Sequence, residues 1–135
     1  LALHVALPYQ EMGIQAPSDV LRAIRLEACD YFNFNGGIFP VHRMATLADA
    51  AGKPFWHGSE VDLGILEASY IQKCAACPGA TLPSDIFGEL VREDDLITEP
   101  LRFENGTVAV PEGPGLGVTL DLNALERYRT RQWTL

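Results

Sequence analysis

Three times within the first 85 residues, a short apolar run is broken by Pro or Gly and followed by apolar residues at helical spacing. Strands and helices that alternate on short links predict a parallel sheet, because the chain must cross back over the sheet before it can pair again in the same sense. Leu3–Leu7 reads as a buried strand closed by Pro8. Pro17 then opens a helix with Ser18 or Asp19 as its cap, and Val20, Leu21, Ile24 and Ala28 form its inner stripe. Asp30–Asn35 is an aromatic second strand ended by Gly36-Gly37. Ile38–Ala51 is a second helix, with Pro40 in its tolerant first turn and Gly52 just past its end. Pro54–His57 is a third strand, Asp62–Ala76 a third helix, and Ala80–Leu82 a candidate fourth strand.

After Ser84 the pattern changes. Leu101–Val110 reads as a hairpin turning at Asn105-Gly106. Val110-Pro-Glu-Gly-Pro-Gly-Leu-Gly-Val118 fixes one backbone path, suited to a chain that wraps back over a finished domain before the short helix Leu122–Arg129. The expected division is therefore 1–85, a set of βα units, and 86–135, the hairpin, wrap and final helix. A closed eight-stranded barrel needs about 250 residues. The chain has 135, so it is read as half of such a barrel, with a smaller open α/β sheet as the alternative.

Composition removes several function classes. A formal net charge of −8 with no basic stripe argues against a nucleic-acid partner. No apolar run reaches the ~18 residues of a membrane-spanning helix. Three Cys, an odd number, argue against a disulfide framework and for a reducing, cytoplasmic compartment. Cys74-Ala-Ala-Cys77 lies late in a helix with no second pair, and reads as small-residue packing.

In a parallel barrel, function sits where strands end and βα loops begin. That rule selects Gln10 and Glu11, then Asn33 and Asn35, then His57, Gly58, Ser59 and Glu60 with Asp62 just beyond, then Ser84 and Asp85. Glu11 has the oxygen chemistry for a hard cation such as Mg²⁺ and can equally be a solvated loop acid. His57 can act as a general base near neutral pH, or pack between helix and strand. Asn33, Asn35, Ser59 and Asp62 are candidate substrate contacts, although Asp62 and Glu60 also suit the first turn of a helix.

Ser18–Ile24, Gly36-Gly37-Ile38, Leu47–Gly52, Pro54, Gly58-Ser59, Leu63–Ala68, Ala75-Ala76, Asp94-Asp95 and the glycine-rich tail occur in an order and spacing that span nearly the whole chain. Together they resemble the mandelate racemase and muconate lactonizing branch of the enolase superfamily, in the C-terminal half of its barrel domain. The resemblance implies an α/β fold, half of a (β/α)7β TIM-like barrel. It implies a lyase or isomerase that uses Mg²⁺ to stabilise the enediolate formed when a base removes the proton α to the carboxylate of a hydroxy or sugar acid, the alternative being a non-catalytic half-barrel remnant or a small-molecule binding module that has lost its base. Glu11 matches the third of three strand-end metal ligands, and the first two would precede Leu1. The partners implied are a small carboxylate substrate and either the N-terminal half of the barrel or a homo-oligomer partner. Three departures stand out, one of them Pro83-Ser84, which stands near where the racemase pattern carries an acid on the last strand. The family carries a Lys or Asp shortly before the Gly-Gly, whereas Asn35 runs directly into Gly36. The racemase pattern ends the next strand in His, whereas His57 falls one place early and Gly58 takes that position.

Overall fold

The computed structural model describes residues 6–7, 14–59 and 61–130. Gln10, Glu11 and Glu60 lie outside these residues. Ala6–Leu7 (β1), Tyr31–Phe34 (β2) and Phe55–His57 (β3) form one parallel sheet in the order β1-β2-β3. Ala6 pairs with Tyr31, and Phe32, Asn33 and Phe34 pair with Phe55, Trp56 and His57. The helices Pro17–Arg25 (α1), Ile38–Ala50 (α2) and Gly64–Ala75 (α3) connect and follow these strands, so the α/β expectation holds.

The helices lie on one face of the sheet. Phe32, Phe34 and Phe55 point to them and bury completely against Val20, Val41, Met44 and Ala48. Stacked and tilted aromatic pairs, Phe32–Phe34 at 5.2 Å and Phe34–Phe55 at 5.0 Å, add geometric preference to the burial. The opposite face carries Tyr31, Asn33 and Trp56, all half-buried.

Three sequence expectations are corrected. The α1 cap is neither Ser18 nor Asp19. Ala16 is the N-cap, Pro17 opens the helix, and Asp19 reaches back to accept from the N–H groups of Gln15 and Ala16. Asp62 is not in the first turn of α3, which begins at Gly64 with Leu63 as its N-cap. The candidate fourth strand is not a regular strand. Residues 79–85 do run beside β3, with Phe55 N–H donating to Gly79 O and Asp85 N–H to His57 O. Pro83 brings no N–H to that ladder, and His57 N–H turns to the Ser84 hydroxyl at 2.9 Å instead of a backbone carbonyl.

The tail forms a second small core. Phe103–Glu104 (β4) and Thr107–Val108 (β5) pair antiparallel around Asn105-Gly106, whose φ values of 51° and 75° fit the turn the sequence predicts. Ile97 and Leu101 bury against Ile71 of α3, with Phe103, Val108 and Val118 packed around them. Thr98 N–H and Asp121 N–H bond to Thr119 O and Leu96 O, so the returning chain lies antiparallel to residues 96–98. Gln72 of α3 holds the glycine-rich segment through Pro111 O at 2.6 Å. Asp121 then caps Leu122–Tyr128 (α4). No helix among the described residues is long and apolar enough to cross a membrane.

Candidate functional site

The strand alternation decides which side chains reach the face of the sheet opposite the helices. Tyr31 and Asn33 project there from β2 and Trp56 from β3, with the Tyr31 and Trp56 rings 5.8 Å apart. Gly58 follows Trp56 on the same side. The Asn33 carboxamide lies over it, and its Oδ1 is buried without a hydrogen-bond partner among the described residues. Ser59 ties the end of β3 to the neighbouring segment. Its N–H donates to Asp85 Oδ1 and its hydroxyl to Asp85 O, both at 2.9 Å. The structure therefore brings together Asn33, Gly58, Ser59 and Asp85 at the carboxyl ends of the strands.

The other candidates fall elsewhere. The Asn35 Oδ1 is taken by the N–H of Gly36, so this amide shapes the turn into α2. Asp62 offers its backbone carbonyl to Arg92 at 2.8 Å. Glu11 lies outside the described residues.

His57 faces the helices rather than the opposite side. Its ring is fully buried, stacked at 4.0 Å on Tyr70, and neither ring nitrogen has a hydrogen-bond partner among the described residues. Burial, and secondarily the charge of Lys73, pull its pKa down to about 3. Of the two readings the sequence leaves open, this geometry suits the packed, neutral ring and not an acid–base group.

Sequence reasoning missed Lys73. It sits on α3 with 2% of its surface exposed, donates from Nζ to the carbonyl of Gly36, and lies 4.7 Å from the centre of the Tyr70 ring. Burial lowers its pKa to about 8 against the pull of Cys74 and Cys77. One signal was present: a lysine two residues beyond Ile71, in a helix whose other residues are mainly apolar or small. Also missed was the clamp on α3, in which Arg92 meets Glu67 at 2.8 Å and Asp95 at 2.6 Å.

Two of the open clefts adjoin the tail. One of about 640 Å³ separates α3 from the β4–β5 hairpin and is mainly apolar. The other, of about 400 Å³, is lined by Glu89, Arg92, Asp94 and Asp95 among others. Among the described residues, no three His, Cys, Asp or Glu side chains converge to hold a metal, and the Asp85 carboxylate already accepts from Ser59. The described residues alone do not fit a Mg²⁺ centre.

Comparison with known proteins gives a consistent relationship. Residues 5–124 match the family model for enolase C-terminal domain-like proteins. The chain is 32% identical over 120 residues to muconate cycloisomerase 1 of Rhodococcus opacus, covering 86% of this chain and 32% of that protein. It is 36% identical over 111 residues to an N-succinylamino acid racemase of Thermus thermophilus, covering 78% of this chain and 30% of that protein. Among solved structures, an enolase-superfamily member of Enterococcus faecalis V583 superposes with a TM-score of 0.84 at 31% identity, over 95% of this chain and 35% of that one. The chain thus spans about a third of the length of the relatives it matches. The sheet, the tail that returns across α3 and the match along nearly all its length agree: the chain belongs to the enolase superfamily, in the C-terminal domain-like family of the mandelate racemase and muconate lactonizing branch.

Proposed function

We propose that this chain is part of an isomerase or lyase that removes the proton α to the carboxylate of a small acid. The observation that carries the reading is the identity of 32% with a muconate cycloisomerase across 86% of the chain. In this reading β1 to β3 belong to a (β/α)7β barrel, and the face with Tyr31, Asn33 and Trp56 is the barrel interior. The rest of the ring comes from an N-terminal half or a homo-oligomer partner. Mg²⁺ would polarise the substrate carboxylate as a Lewis acid, held by Glu11 with two further acids that this sequence does not contain.

The described residues do the positioning. Ser59 and Asp85 hold the β3 end against its neighbour, so the rim keeps its shape when a ligand arrives. Asn33 offers a carboxamide to that ligand, and Tyr31 and Trp56 flank it. Asn33 and Trp56 carry no basic group, so they orient the acid and the proton acceptor lies elsewhere in the site.

The test uses the full-length protein that contains this chain, Mg²⁺ and deuterated water. N-succinylamino acids and the lactone formed from cis,cis-muconate are the probes, with deuterium at the α-carbon read by NMR. Incorporation or turnover with either probe supports the reading, and no exchange with both rejects it for these acids. The enclosure of His57 favours one second reading, a small-molecule binding module that has lost its base. It predicts ligand binding without exchange.

A further inference from the structure

Gly58 is not a glycine for backbone reasons. Its N–H donates to Phe34 O at 2.9 Å, continuing the β2–β3 ladder, and its φ lies outside the left-handed region. The constraint is space. A Cβ at position 58 would lie 2.3 Å from Asn33 Oδ1, 2.9 Å from Nδ2 and 3.0 Å from Cγ. The carboxamide of Asn33 therefore fills the volume that any side chain at position 58 would occupy.

We infer that Asn33 and Gly58 act as one unit. The polar group presented at the end of β3 is delivered across the sheet by β2, and Gly58 exists to leave it room. The unpartnered atom of the carboxamide is its Oδ1, an acceptor, so the ligand group it suits is a donor, a hydroxyl or amide N–H borne by the acid. A carboxamide holds no titratable proton near neutral pH, so Asn33 binds and orients and does not abstract. This inference rests on the functional reading above and deepens it: the β3 side of the site is a hydrogen-bonding wall, not a second base.

The experiment compares N33A, N33S, G58A and the double variant N33A/G58A in the full-length protein. In thermal denaturation, G58A should lower Tm only slightly, because the Asn33 carboxamide can rotate away from the new methyl group, and N33A/G58A should recover most of that small loss. With whichever probe acid the wild type turns over, N33A and G58A should each raise KM tenfold or more. Both should keep kcat within threefold and leave the pH profile unchanged, and the double variant should be no worse than either single one. N33S keeps a polar group and should fall between. Equal Tm losses from G58A in both backgrounds, or a KM within twofold of wild type for N33A, would overturn the inference. So would the loss of one limb of the pH profile. If the wild type turns over no probe, the functional reading fails. The pair is then judged by Tm coupling and by calorimetric binding of an N-succinylamino acid, and absent binding overturns it too.

Discussion

The Arg92 guanidinium lies 2.8 Å from the carboxylate of Glu67, a residue with no exposed surface, and joins the loop after Gly88–Leu90 to the inside of α3. The same guanidinium holds Asp95, whose carboxylate accepts from the N–H of Gly64 at the start of α3. Removing one member of a buried pair leaves an uncompensated charge, which costs about 3–5 kcal/mol. Arg92→Met should lose stability on that scale in urea denaturation, whereas Glu67→Gln combined with Arg92→Met should recover more than half of it. Equal losses in the single and double variants would show that the pair is not the source.

Gly88 sits inside this clamp. A methyl group there would meet Asp62 O at 2.3 Å, Arg92 Nη1 at 2.8 Å and Glu67 Oε1 at 2.9 Å. The first contact is with backbone and cannot rotate away, so Gly88→Ala should cost about 1–3 kcal/mol through overpacking. Gly115→Ala, at a φ of +68° with nothing within 4 Å, carries only the left-handed penalty of about 1–2 kcal/mol. Relief of the Gly88→Ala loss by Arg92→Lys would contradict the assignment to the Asp62 carbonyl. The check is a pair of thermal melts.

His57 gives a pH signature. Its pKa falls from 6.5 to about 3 on folding, so the unfolded chain binds the proton more tightly over that interval. Stability present above pH 6.5 should decline as the pH is lowered towards 3, by up to about 1.4 kcal/mol per unit. His57→Phe keeps an aromatic ring on Tyr70 and removes both unpartnered nitrogens, so this share of the slope should vanish. Urea midpoints at several pH values decide the matter, and an unchanged slope in the variant would sink the claim.

Lys73 has the same sign over a different range. Its pKa falls from 10.5 to about 8, so its contribution to stability rises as the pH climbs between those values. Relative to Lys73→Met, the wild type should gain stability from pH 8 to 10.5. At neutral pH the variant loses the bond to Gly36 O, and amide exchange at Gly36 and Gly37 should quicken. Unaltered exchange there would mean that Lys73 does not hold this turn.

Much of the fold was legible in the chain. The aromatic strand at Tyr31–Phe34, the helix over Ile38–Ala50 and the Asn105-Gly106 turn depend on neighbours within a few residues, and sequence patterns carry that range well. The strand beside β3 was harder. Its pairing uses Pro83 and a serine hydroxyl in place of the regular ladder, and no propensity encodes such a substitution. The site was read only in part. The strand-end rule selected Asn33, Ser59 and Asp85, which the structure brings together, and it also selected His57, which the structure turns to the helices.

That last difference marks the boundary between the two sources. The order of βα units, the returning tail and the family follow from the sequence alone, since each is written in local spacing and in residue order. The face of the sheet that His57 takes was not, because alternation over a three-residue strand has no phase until the neighbouring strand and α3 are in place. The hold of Lys73 on Gly36, the pairing of Arg92 with Glu67 and the seat of Asn33 over Gly58 each join residues about 25 or more positions apart. Only the packed interior brings such residues together, because there an unpaired charge or a single misplaced methyl group is expensive enough to dictate the neighbour.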